Sequence, residues 1–346
     1  MSIPRVQKPP TDGSSYIINR MDGDIFTMPG LRGTFRFYAS EQQTDNRISV
    51  FGWDGPADDQ AFHHHKKTHD CFLITEGTMK AYCGDQCRIL SPGDFCSVPP
   101  FTIHKPTPLG PITRVLPLIT PAAWVNFFRD ASIPFNGLMF PEFVSADRQT
   151  SIAQMLGPDF EEKYDNYNEH VENPPPVTPW TEADEVLPDG VVPYYLKYNS
   201  GPKWVLGGVS SRPFITTTQS GGKFAISSIE SSNTYGPSVF SRQISFPNTH
   251  HCLVLLDGSV EVTLSGGSPT LAHAGDVIFL TAGSAFSIDF KTKYVRIWSY
   301  ASGDGIEALI GAAGTPMKAQ ALPNEALEID EAKVNDACKT LGIEIV

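Results

Sequence analysis

Several things are scarce in this chain of 346 residues. Basic charge is one: 26 Lys and Arg stand against 38 Asp and Glu, a net charge of -12. A surface of that sign repels phosphate backbones and anionic headgroups, so neither nucleic acid nor an acidic membrane is an expected partner. No apolar run reaches the roughly 18 residues of a membrane-spanning helix. The opening MSIPRVQKPPTDGSS lacks the apolar core and small-residue cleavage site of a secretory signal, and the chain contains no Asn-x-Ser/Thr acceptor. A cytoplasmic protein is expected. Cysteines are few, at Cys71, Cys83, Cys87, Cys96, Cys252 and Cys338. None are paired at the C-x-x-C spacing of a zinc knuckle, and buried free thiols on strands are expected.

Helical periodicity is scarce too. Short β-prone runs dominate: TFRFYAS (34–40), RISVFGW (47–53), CFLITEG (71–77), TMKAYCG (78–84), DFCSVPP (94–100) and ITRVLPLIT (112–120). Gly, Pro, Asp or Asn separates them every 8 to 12 residues or so, the rhythm of a sandwich or barrel. Helical patterns are confined to 121–131, 304–314 and 328–342, the last with early acids, a late Lys and Gly342 as a stop. Residues 147–200 are acidic and Pro-rich with little aliphatic pattern, which predicts a linker or surface excursion. The expected organisation is a domain over 1–146, the linker 147–200 and a second domain over 201–346.

The two halves repeat. THDCFLITEG (68–77) aligns with THHCLVLLDG (249–258), and the Gly93-Asp94 turn aligns with Gly275-Asp276 at nearly the same offset. Two blocks at one offset imply two copies of one β-domain in tandem.

Four of the nine histidines lie in FHHHKKTHDCFLITEG (62–77). In an extended strand His63 and His65 share a face and His64 takes the other. Asp70 follows, and His104 arrives after the SPGD turn. Three imidazoles and a carboxylate suit a divalent transition metal with open positions; Fe, Cu, Ni and Mn are all compatible. In the second half these positions become Ile244, Phe246, His251 and Phe286 while the turn frame persists. Such selective loss fits a metal-binding interior in the first half and an apolar one in the second. His69 has a partner in His250 of the second half, so a structural role is expected for it.

These residues resemble the two motifs of the cupin superfamily, H-x-H-x(4)-E-x(6)-G in HHHKKTHDCFLITEG and P-G-D-x-x-x-V-P-x-x-x-x-H in SPGDFCSVPPFTIH. EQQTDNRISVFG (41–52), the acidic Pro-rich linker and YNSGPKWVLGG (198–208) extend the likeness to fungal bicupin quercetin 2,3-dioxygenases. The resemblance implies an all-β bicupin of two tandem jelly-roll barrels with a few short helices. It makes His63, His65 and His104 the metal ligands. Asp70 falls on the family glutamate, a possible ligand and the base that takes the substrate proton, here one methylene shorter. The gap from Gly55 to His63 is longer than the family's usual spacing.

The function so implied is a metal-dependent dioxygenase of secondary metabolism acting with O₂ on an enol or phenol of flavonoid or polyketide kind. Phe62, Phe72, Phe101 and Ile103 are candidate walls of its pocket. Two alternatives stand beside it: a cupin isomerase, cyclase or decarboxylase that uses no O₂, and a non-catalytic small-molecule binder. Barrel edges commonly pair, so a homodimer is the expected assembly.

Overall fold

The computed structural model describes residues 2–137, 140–141 and 155–345. Its strands form sheets of twelve, nine and five. The chain divides into two compact units. One comprises Gly23–Glu41 and Asp45–Ser200. The other runs from Gly201 onward and also takes in the residues up to Asp22 and the short stretch Gln42–Thr44.

The structure departs from the expected organisation in two places, before Gly23 and over the expected linker. The segment before Gly23 belongs to the unit built from the second half. Tyr16–Asn19 pairs antiparallel with Asp276–Leu280, and Arg5–Val6 lies parallel beside it. Tyr16, Ile17 and Ile18 are fully buried there. A four-residue strand, YIIN, carries no mark of so distant a partner. Of the expected linker, 147–154 lies outside the described residues. The rest is part of the first unit: Tyr167–Asn168 pairs with His63–His64, and Tyr194–Leu196 with Phe95–Val98. Asp184, at 4% exposure, forms an ion pair with buried Arg88 at 3.2 Å. Acidic composition suggested solvation, but backbone hydrogen bonding and one buried pair hold this segment down.

In the first unit the two runs 71–77 and 78–84 join into one strand, His69–Cys83. Gly77 makes the join possible. It sits at φ 73, and a Cβ there would lie 2.1 Å from the Ile112 carbonyl oxygen. Only glycine lets the strand turn through this point against its neighbour, whose register shifts between Leu109 and Arg114. The Gly93-Asp94 turn works similarly. A Cβ on Gly93 would fall 2.2 Å from the Tyr198 ring. The Asp94 carboxylate accepts from the N–H of Ser91 at 2.7 Å and of Tyr198 at 2.8 Å.

In the second unit one apolar core joins Leu253, Ile278 and Ile297 of the larger sheet to Val260, Val262 and Ile288 of the smaller one. Asp276 repeats the role of Asp94, accepting from His273 N–H at 2.9 Å and pairing with Arg5 at 2.9 Å. The repeat extends to strand register. His63 faces His104 across one pair of strands, and Ile244 faces Phe286 across the equivalent pair.

All three helical expectations correspond to helices: a 3₁₀ turn Ala122–Val125 running into Asn126–Ala131, then Ile306–Ala313, and Glu331–Leu341. The last starts on Asp330, whose side chain accepts from Ala332 and Lys333 N–H. It stops at Gly342, φ 65. All six cysteines are buried and free. Five lie on strands; Cys338 lies on the final helix.

Glu307, on Ile306–Ala313, is 3% exposed. Its Oε1 accepts from Gly305 N–H at 2.7 Å, while Oε2 has no partner. Burial pushes its carboxyl up from 4.5 to about 7. The native state thus keeps a proton that the unfolded chain has released. Stability is full below about pH 4.5 and falls as pH rises towards 7, by roughly 3 kcal/mol over that span. Glu307→Gln keeps the acceptor and removes the titration. Denaturant melts should show a flatter pH dependence for this variant and a higher midpoint than the parent at pH 8. Parallel curves for the two proteins would contradict this account.

Candidate metal centre and cavity

His63, His65 and His104 converge, with their ligating nitrogens all within 4.8 Å of one another. Strand pairing brings the first and last together: His63 is the direct partner of His104. His65 leaves the end of that short strand, and its carbonyl accepts from Phe101 N–H at 2.5 Å in the turn leading to His104. The ring centroids stand 4.1 Å apart for His63 and His104, and 5.2 Å for His65 with each of the others.

Each ring is oriented by a backbone carbonyl. His63 Nδ1 lies 3.0 Å from Ala61 O, and His104 Nδ1 lies 3.0 Å from Thr102 O. His65 Nδ1 bonds to Asp165 O. A carbonyl can only accept, so the neutral form of each ring carries its hydrogen on Nδ1 and leaves Nε2 with a bare lone pair. The Nε2 atoms of His65 and His104 are buried with no hydrogen-bond partner, as is Asp70 Oδ1. Unpartnered buried polar atoms are costly. Three lone pairs and a carboxylate converging on one point fit a divalent cation, and imidazoles held through their far nitrogen are the usual arrangement at metals.

Electrostatics agree. Burial drives the His63 imidazole well below its usual range, and repulsion by His104 and His65 adds to this. It stays neutral and able to ligate. Burial also pushes His65 down, but Asp70 beside it overrides this and raises it. For Asp70 burial acts upward. His65 and His104 outweigh it and hold the carboxyl well below the usual carboxylate range. Asp70 Oδ2 lies 3.3 Å from His65 Nε2 and 3.5 Å from His104 Nε2. The carboxylate therefore stays charged among the three rings.

His64 points away from the cluster. Its Nδ1 lies 2.8 Å from Glu169 Oε1 and its ring stacks on Tyr167. His69 is buried, with Nε2 2.8 Å from Ser97 Oγ.

A cavity of about 300 Å³ ends on His63 and Asp70. Its walls include Phe35, Phe51, Trp53, Trp124, Phe127 and Phe128, with Gln60, Asn166 and Asn168 as polar members. Phe72 also lines it. The other three expected wall residues do not. Phe101 is 71% exposed and Ile103 36%. Phe62 packs on Tyr82 at 5.0 Å with the Lys105 ammonium 5.1 Å from its ring. Nearness to a ligand in sequence does not carry over to space here, because the turn carries Phe101 and Ile103 outward. The walls come instead from the strands Thr34–Ala39 and Ser49–Gly55 and from the helical segment 122–131. The alternating aromatics of TFRFYAS and the WVNFF run carried that signal.

No family model matches the chain. Over 318 residues it is 24% identical to quercetin 2,3-dioxygenase of Aspergillus japonicus, covering 84% of this chain and 89% of that protein. Over 134 residues it is 29% identical to quercetin 2,3-dioxygenase of Bacillus subtilis (strain 168); that match spans 38% of this chain and 39% of the relative. Oxalate decarboxylase from Bacillus subtilis, solved at pH 4.6, shares the fold with a TM-score of 0.51 at 15% identity, over 86% of this chain and 78% of that one. Fold and repeat make this protein a bicupin, with a histidine cluster in its first unit consistent with the metal site of cupin enzymes. Within that class it is related to the quercetin 2,3-dioxygenases.

Proposed function

We propose that this bicupin is a metal-dependent dioxygenase of quercetinase type, opening a ring of a flat enol- or phenol-bearing aromatic substrate with O₂. The observation that carries this reading is the junction of an aromatic-walled cavity with a buried cluster of three imidazoles and one carboxylate. His63, His65 and His104 would hold the metal through Nε2. Once bound, it would supply Lewis acidity that lowers the pKa of a substrate hydroxyl, and a route for electrons to O₂. Phe35, Phe51 and Trp124 would hold the ring plane and keep water from the site. Asp70, kept ionised beside the rings, would accept the hydroxyl proton as general base.

The test is oxygen consumption by metal-reconstituted protein with a panel of flavonols and related polyphenols, product analysis alongside. Uptake of one O₂ per ring opened supports the reading. Substrate turnover without oxygen uptake would replace it with an isomerase, cyclase or decarboxylase. Binding without turnover would leave a small-molecule carrier.

A further inference from the structure

Asp165 lies in the acidic stretch EEKYDNYNE, whose composition reads as solvated. Its hydrogen bonds are nevertheless concentrated on the histidine segment. Its carbonyl accepts from His65 Nδ1. Its Oδ1 accepts from Lys66 N–H at 2.9 Å. Its Oδ2 takes Lys67 N–H at 2.9 Å, Thr68 N–H at 3.0 Å and the Thr68 hydroxyl at 2.8 Å. One residue thus satisfies three consecutive backbone donors, a hydroxyl and the ring that leads into them. Asp165 adopts φ 53, in the left-handed region. That conformation, which Asp tolerates better than most residues, turns carbonyl and carboxylate to the same neighbour.

The surrounding chain is stitched to the same strand. Tyr167 pairs with His64 and Asn168 with His63, and Glu169 N–H donates to Phe62 O at 2.8 Å. Phe160, Asn166 and Asn168 also line the cavity. The segment that forms part of the cavity wall therefore also fixes one imidazole of the cluster.

We infer that Asp165 is the positioning residue of the metal centre, orienting His65 through its carbonyl and locking the turn 66–68 through its carboxylate. This rests on the metal-binding reading above. Imidazole ligands depend on the group bonded to their far nitrogen, and disturbing such a group typically lowers metal affinity about 10- to 100-fold. Among the three rings, His65 alone is held from a segment distant in sequence; Ala61 and Thr102 lie two residues from the rings they hold. The bond to His65 is accordingly the one most open to change by a mutation elsewhere.

The probe is Co²⁺, titrated into full-length apoprotein and followed by its visible absorption and by the thermal shift it induces. Asp165→Gly suits the left-handed backbone and keeps the carbonyl while deleting the carboxylate. It should bind Co²⁺ about 10- to 100-fold more weakly, with altered absorption bands. Thr68→Val removes one donor and should lower affinity by a smaller factor in the same direction. Should Asp165→Gly fail to fold, Asp165→Asn, which tolerates the same φ, and Thr68→Val carry the test. Co²⁺ affinity and spectrum equal to the parent's in the folded variants, even with a lower apoprotein melting temperature, would overturn the inference and leave Asp165 a structural residue. A parent protein that takes up no Co²⁺ would overturn the metal-binding reading itself, and this inference with it.

Discussion

Elemental analysis of the purified protein should return near one transition metal per chain, and the His65→Ala, His104→Ala double variant should retain less than about a tenth of that. The expectation follows from three lone pairs converging on one point. Removing two of them leaves His63 and Asp70, which cannot enclose a cation. Added metal should also raise the melting temperature of the parent and not of the variant, because only a state with the site assembled gains from mass action. Circular dichroism must show the variant folded. Asp70 loses both flanking imidazoles in it and can relax by taking up a proton, so the fold should survive. Equal metal in the two proteins, or none in either after reconstitution, would remove the basis for the dioxygenase reading.

Asp70→Asn should keep the metal and lose about 10²- to 10⁴-fold in the rate of substrate turnover, the usual worth of a positioned general base. The amide is nearly isosteric and can still face His65 and His104, but it cannot accept a proton at that oxygen. The diagnostic comparison is turnover with metal content measured on the same sample. Loss of rate at full occupancy supports the base role. Loss of metal in step with rate would make Asp70 a ligand, since its side chain would then hold the ion rather than the proton. Unchanged turnover at full occupancy would exclude both roles.

The histidine cluster was legible in the sequence because two copies of one domain could be compared. His63, His65 and His104 stood out against Ile244, Phe246 and Phe286 on an otherwise shared frame, and strand pairing sets His63 opposite His104 as it sets Ile244 opposite Phe286. The barrels were legible through turn spacing, and the final helix through Asp330 and Gly342. The cavity walls were not. Alternation shows which residues share a face, but not which end of a barrel they occupy, so nothing marked Phe35 and Trp53 as cavity lining. Asp165 was missed because its role depends on a backbone angle and on main-chain donors, neither of which has a residue-type signature. The true extent of the units was missed for a related reason: Tyr16–Asn19 forms a strand, but nothing in its residues names Asp276–Leu280 as its neighbour.

That last pairing bears on how the protein is made. Asn19 and Asp276, bonded side chain to side chain, are 257 positions apart, and Arg5 and Asp276 are 271 apart. At ribosomal speeds of about 5–20 residues per second, the strand Tyr16–Asn19 waits on the order of tens of seconds before its neighbour exists. Throughout that interval Tyr16, Ile17 and Ile18 have no native place to be buried. The first unit can close on itself as soon as Ser200 has emerged, but the second cannot be completed until Asp276–Leu280 has followed. The growing chain therefore carries an apolar strand well ahead of its partner, and the yield of folded protein should depend on what shelters that strand in the meantime.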